Sequence, residues 1–238
     1  MEGAVEKLVY LIFESADRSG NDLRAMLLET VVPHFKRLNV RGARLNVHDE
    51  EVYAGKPQVE SNLRKGPPIR AMLNFWMDSA DQRGPCEDAL SSSVEGGHAG
   101  YLVVESCPLV HEVQPGERTP GVNQITCINR RPDISYETFL KIWQQEHREV
   151  AIELQSTVGY VRNVVVRTLT ENAPAFDAVV EETFPIEALT DQRALYDYAE
   201  SEEALALSVA RMMESCERFL DFEPMEMNFM SEYVMEET

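Results

Sequence analysis

Between Ser135 and Gln155 apolar side chains recur at Tyr136, Phe139, Leu140, Trp143, Val150, Ala151 and Leu154, and His147 stands inside the same stripe. It follows Trp143 by one helical turn, while Lys141, Gln145 and Glu149 fall on the opposite, solvated face. An imidazole titrates near neutral pH, so a half-buried one can exchange a proton with a bound molecule. The position equally suits a core histidine satisfied by its neighbours. Phe139 and Trp143 are packing residues by the same periodicity, and they could also wall an apolar pocket.

Four further residues have side chains that could serve such a histidine. Tyr160 opens the following strand and could donate its phenolic hydrogen to a substrate oxygen. Arg162, two residues on, shares its face and could steady an oxyanion, or lie at the surface. Asp177 and Glu181, on the strand after that, share parity with each other, and either carboxylate could hold His147 in one tautomer or be solvated. The sequence contains no Walker loop, dinucleotide fingerprint, H-E-x-x-H, G-x-S-x-G or C-x-x-C-H motif. Cys86, Cys107, Cys127 and Cys216 are scattered without zinc spacing, so the expectation is free thiols, no metal and no tightly bound cofactor. Haem ligation by a single histidine leaves no motif, and His147 could supply it.

These residues need elements to hold them. Periodicity predicts strand 5–13, helix 21–38, strands 40–47 and 69–77, helix 81–93 and strand 101–110. A Pro/Gly-rich stretch, 114–121, reads as a linker. The order then returns: strand 123–129, helix 135–155, strands 159–169 and 176–184, helix 202–220 and strand 227–234, with extra helix expected in 185–198. Ser135 is placed to cap its helix. Residues 40–47 echo 157–164 at an offset of 117, with Gly42 over Gly159 and Asn46 over Asn163. The expected fold is α+β: two ferredoxin-like βαββαβ units, 1–113 and 122–238, joined by 114–121. Two such sheets can cover each other face to face, making a barrel-like pseudo-dimer within one chain.

The chain carries 22 basic and 41 acidic residues, net −19, without a basic run longer than two. That argues against nucleic acid and anionic membranes as partners. The excess is concentrated in residues 171–238, with 3 basic and 18 acidic side chains. Such a field could steer a cationic partner or serve solubility. No stretch has the apolar length of a membrane span, and the first residues lack the build of a signal peptide, so a cytoplasmic location is expected.

The run Arg131-Pro132-x-Ile134-Ser135, with Phe139, Trp143 and His147 at four-residue steps and then Gly159-Tyr160-Val161-Arg162-Asn163, resembles the EthD family. Phe176–Glu181, Phe219-Leu-Asp221 and Ser231-Glu232 extend the likeness over about residues 120–236. The ungapped offset puts Thr30 opposite His147 and Met26 opposite Trp143, so the first unit lacks the pair, unless His34 serves in another register. The resemblance implies a dimeric α/β-barrel fold, in a superfamily holding cofactor-independent monooxygenases, isomerases, polyketide cyclases and haem enzymes. It also implies one complete site per chain. The expected activity is cofactor-independent proton transfer on a small apolar, aromatic or polyketide-like molecule, giving dehydration, cyclisation, isomerisation or oxygenation. His147 would move the proton and Tyr160 and Arg162 steady the oxyanion. The alternative is a non-catalytic binding or accessory protein; either could pair into a homodimer.

Overall fold

A computed structural model describes residues 5–52, 67–197 and 199–235. Strand β1 (Glu6–Phe13) leads to helix α1 (Gly20–Thr30), strands β2 (Arg41–Val47) and β3 (Ile69–Met77), helix α2 (Gly84–Ser93) and strand β4 (His98–Leu109). The second unit runs β5 (Val122–Arg130), α3 (Tyr136–Lys141), a π-helical segment (Ile142–His147), α4 (Arg148–Leu154), β6 (Gly159–Thr168) and β7 (Ala178–Phe184). It ends with a short helix α5 (Gln192–Leu195), α6 (Glu202–Glu217) and β8 (Leu220–Val234).

The strands form one closed barrel in the order β1-β3-β2-β8-β5-β7-β6-β4, every pair antiparallel. Each half has the ferredoxin-like order, as expected from the repeat. The halves join edge to edge as well as face to face: β2 pairs with β8 and β4 with β6, so no paired strand is left with an open edge among the described residues. The inner face is apolar at one end, with Val9, Leu11, Met72, Tyr101, Ile125, Val179 and Met230. At the other end it holds buried Lys7, Asn46, Asn74, Asn123, Asn163 and Glu181. Helices cover the outer faces. In the first unit Leu23, Leu27, Val31 and Phe35 fill the space over Tyr10 and Phe75 with a packed apolar layer.

Several elements differ from the periodicity, each for a local reason. The helix expected over 21–38 stops at Thr30 and continues as two 3-10 turns, because Pro33 has no N–H for an α-helical bond. Helix 81–93 is split into a 3-10 turn and α2 at Gly84-Pro85. Strand β8 starts at Leu220 instead of 227: Pro224 interrupts its pattern and lies in a register shift opposite Cys127–Asn129, where a missing N–H is tolerated. The expected extra helix is a 3-10 turn (Ile186–Leu189) plus α5, and Tyr198 lies outside the described residues. The stretch 114–121 lies against β8, its Gly116 and Thr119 N–H groups donating to the Val234 and Glu232 carbonyls.

Candidate functional site

Ser135 starts the helix that carries the histidine, its Oγ accepting from the Thr138 N–H at 3.1 Å. Over Ile142–His147 the helix widens, and the Arg148 N–H reaches back five residues to the Trp143 carbonyl. Trp143 and His147 are the two buried residues of this π-helical segment, a form that often marks functional sites. Phe139 is fully buried and stacks on Trp143 with centroids 5.3 Å apart.

Between this helix, α6, the 186–196 insertion and the outer face of β5, β7 and β6 lies a cavity of about 470 Å³. His147, Trp143, Tyr160 and Glu182 line it, with polar Gln124 and Thr126; apolar side chains, including Met212, Met225 and Phe219, make most of the remaining wall. Met213, Phe222 and Met227 belong to the same wall and are exposed. Volume and lining suit a small, largely apolar ligand held by a few polar groups.

The imidazole is fixed at Nδ1, 2.9 Å from Ser215 Oγ, and its ring lies 4.8 Å from that of Phe219. Among the described residues Nε2 has no hydrogen-bond partner. Burial, and secondarily the charge of Arg218, lower its pKa to about 4, so the ring is neutral at physiological pH. Trp143 Nε1–H donates to Tyr160 Oη at 3.1 Å, which leaves the phenolic hydrogen free to be donated. Burial, then Glu182, push the Tyr160 pKa up, keeping the phenol protonated.

Glu182 stands opposite Tyr160 across the β6–β7 ladder. Its accessible surface faces the cavity, where protein surrounds it, and burial alone lifts its pKa to about 7. Among the described residues its carboxylate has no hydrogen-bond partner, and the cavity lining contains no Lys, Arg or Asp. Cys216 is also present, but burial holds its thiol up at about 12, so it is protonated and a poor nucleophile. Among the described residues no group of three His, Cys, Asp or Glu could hold a metal ion. Among the described residues the lining offers no cation to neutralise the propionates of a porphyrin, so these residues fit haem poorly.

His147, Trp143 and Tyr160 are therefore brought together, and four other expected residues lie outside the cavity wall. Phe139 supports Trp143 from behind. Arg162 is on the face of Tyr160, as parity requires, but its Nε donates to Ser106 Oγ and its Nη1 to the Gln144 carbonyl, both at 3.1 Å. Glu181 points into the barrel, accepting from Asn163 Nδ2 at 2.9 Å and Asn74 Nδ2 at 3.2 Å. Asp177 accepts from the Arg130 N–H at 2.9 Å and pairs with its guanidinium. Neither carboxylate reaches His147 as an orienting partner; Ser215 occupies that place.

Sequence reasoning missed Glu182, Ser215 and the insertion wall. The signal for Glu182 was the register: strand parity separates Glu181 from Glu182, and only the pairing with Tyr160 tells which one faces the helix. In the first unit Thr30 Oγ1 donates to the Met26 carbonyl at 2.8 Å, and a packed core stands where the second unit has its cavity. Buried His34 Nδ1 has no partner there.

The EthD domain family matches residues 131–223, the stretch that supplies Trp143, His147, Tyr160 and Glu182. No curated protein sequence shows significant similarity. Among solved structures, an anthrone oxidase-like protein superposes with a TM-score of 0.55 at 10% identity, over 99% of this chain and 93% of that one. A candidate monooxygenase of Fusobacterium nucleatum subsp. nucleatum gives 0.50 at 10% identity, over 99% and 94%. At these identities the likeness is one of fold. Residues 131–223 thus match the EthD domain family, and the chain that carries them closes into a single eight-stranded antiparallel barrel with the fold of those solved structures.

Proposed function

We propose that this chain is an enzyme that moves a proton on a small apolar aromatic ketone or polyketide-like molecule, with His147 as the base. The observation that carries this is a neutral imidazole tethered at one nitrogen, its other nitrogen unpartnered, in the wall of an otherwise apolar cavity. With Ser215 Oγ accepting from Nδ1–H, the Nε2 lone pair is the base. Tyr160, held by Trp143, donates to the substrate oxygen as negative charge develops there. Low polarity favours the neutral imidazole before the reaction and strengthens the Tyr160 hydrogen bond at the enolate. A structural relative is described as anthrone oxidase-like, and anthrone is a flat aryl ketone ionised at carbon, the ligand class this cavity suits. Dehydration, isomerisation, cyclisation and oxygenation through a carbanion all begin with that proton transfer. Arg162, behind Trp143 and Tyr160, acts by holding them.

The test uses 2-tetralone, whose benzylic hydrogens are acidified by both the ring and the carbonyl. Binding is followed by quenching of tryptophan fluorescence, and exchange of the C1 hydrogens in D₂O by proton NMR. The protein is expected to bind the ketone and accelerate exchange, and His147→Gln to bind without accelerating it. A non-catalytic binding protein, the second reading, is favoured by the exposed methionines and Phe222 of the cavity wall. It predicts binding with no acceleration by either protein.

A further inference from the structure

The cavity holds two groups suited to opposite tasks, and the proton-transfer reading uses only one. His147 and Glu182 line the same space from different elements, the helix and β7. Glu182 is the lone carboxyl in that wall among the described residues, and no side chain there is a cation that would favour its ionised form. The titratable groups facing it are Tyr160 on β6, His147 on the π-helical segment, Cys216 on α6 and Tyr196 after α5; Gln124 and Thr126 face it from β5. Arg218, which bears on His147, is paired with Glu146, and Arg162 is engaged by Ser106 and Gln144. A carboxyl so placed is of little use in holding an anion and well suited to giving a proton away.

We propose that Glu182 is the general acid of this site and that its substrates are β-hydroxy aryl ketones, which lose water between His147 and Glu182. This rests on His147 being the base. The imidazole Nε2 takes a hydrogen from the carbon next to the carbonyl, and the electron pair of that C–H bond becomes the new C=C bond. The C–O bond at the β carbon breaks, and the departing oxygen takes its bonding pair and the Glu182 carboxyl proton, leaving as water. Tyr160 Oη–H steadies the carbonyl oxygen while it carries charge. The imidazolium then returns its proton to the Glu182 carboxylate through the released water. No oxidant is consumed, and the unsaturated ketone tautomerises to a phenol where the ring allows it.

Burial agrees with these roles: it holds the Glu182 carboxyl up to about 7 and the imidazole down at about 4, so the acid is substantially protonated and the base free at the same pH. The acid must be protonated, so elimination should fall as pH rises through about 7, and the free base is lost below about 4.

The test uses 3-hydroxy-1-tetralone, which loses one water to give fluorescent 1-naphthol, beside the exchange of 2-tetralone, which has no leaving group. The Glu182→Gln side chain matches the protonated acid in shape and charge but cannot deliver a proton. Wild type is expected to form 1-naphthol, and E182Q to do so about a hundredfold more slowly, without the alkaline limb, a loss about tenfold or more greater than its loss of 2-tetralone exchange. Glu182→Asp, which keeps the acid, should recover part of the elimination. Elimination by E182Q at the wild-type rate, or an equal loss of elimination and exchange, would overturn the acid role. Wild type that exchanges 2-tetralone but forms no naphthol overturns the substrate class and leaves the His147 reading standing. Wild type that does neither overturns both.

Discussion

At the scale of single residues the site depends on hydrogen bonds that fix two side chains and leave their working atoms free. Tyr160→Phe removes the acceptor of Trp143 Nε1–H, leaving a buried donor unpaired. The expected loss is about 1–3 kcal/mol of stability in urea unfolding, together with slower ketone exchange. Glu181→Gln places an amide among the donors Asn74 and Asn163 and beside Lys7 inside the barrel. It should also cost about 1–3 kcal/mol, yet leave exchange unchanged, because Glu181 lies on the other face of the sheet from the cavity. That contrast between adjacent glutamates is the one the sequence could not supply. His147, Trp143 and Tyr160 were legible because helical period and strand order aim them, whereas Glu182 depends on how two strands align. The methionines at 212, 213, 225 and 227 were a weaker signal of adaptable apolar wall that composition alone left unused.

At the scale of elements the π-helical segment stands out. It places Trp143 and His147 side by side in the wall while Phe139 and Ala151, beyond its two ends, remain in the core. Deleting the exposed Gln145 should restore a regular helix, keep those flanking contacts and change the thermal midpoint little. It should nevertheless slow exchange by about a hundredfold, since a shift of an ångström in a reacting group costs that much. Retained exchange would mean that the widened turn does not set the geometry. Periodicity located this helix at nearly its full length, because one added residue leaves an apolar stripe readable. The change of hydrogen-bond pattern within it leaves that stripe intact and is visible only in the backbone. The 186–196 insertion was legible as an addition to the repeat, but its place as a cavity wall became visible only in three dimensions.

At the scale of the whole molecule, the doubled βαββαβ order was legible because each unit repeats apolar strand runs and helical stripes in the same sequence. Edge-to-edge closure was not, since it depends on hydrogen bonding between strands far apart in sequence. Glu182 and His147, in the cavity of the second unit, each contribute to the pH dependence of stability, beside buried groups of the first unit such as His48 and His98, whose pKa values burial lowers. Glu182 has a raised folded-state pKa, so its contribution is fully present below the ordinary carboxylate range and is lost as pH rises through about 7. His147 has a lowered one: its contribution is present above its ordinary value of 6.5 and is lost as pH falls toward about 4. Thermal midpoints should therefore show E182Q gaining on wild type between pH 5 and pH 8, and His147→Gln gaining between pH 7 and pH 4. Equal shifts at every pH would mean that neither group is held out of water as the fold implies.

If His147 is the working base of the cavity, the pH profile of 2-tetralone exchange carries the titration of its imidazole. Wild type should accelerate exchange with a rate that rises as pH increases through about 4 and levels off toward neutrality, while His147→Gln follows the buffer rate throughout. A His147→Gln profile that overlays the wild-type curve would remove His147 from the proton transfer.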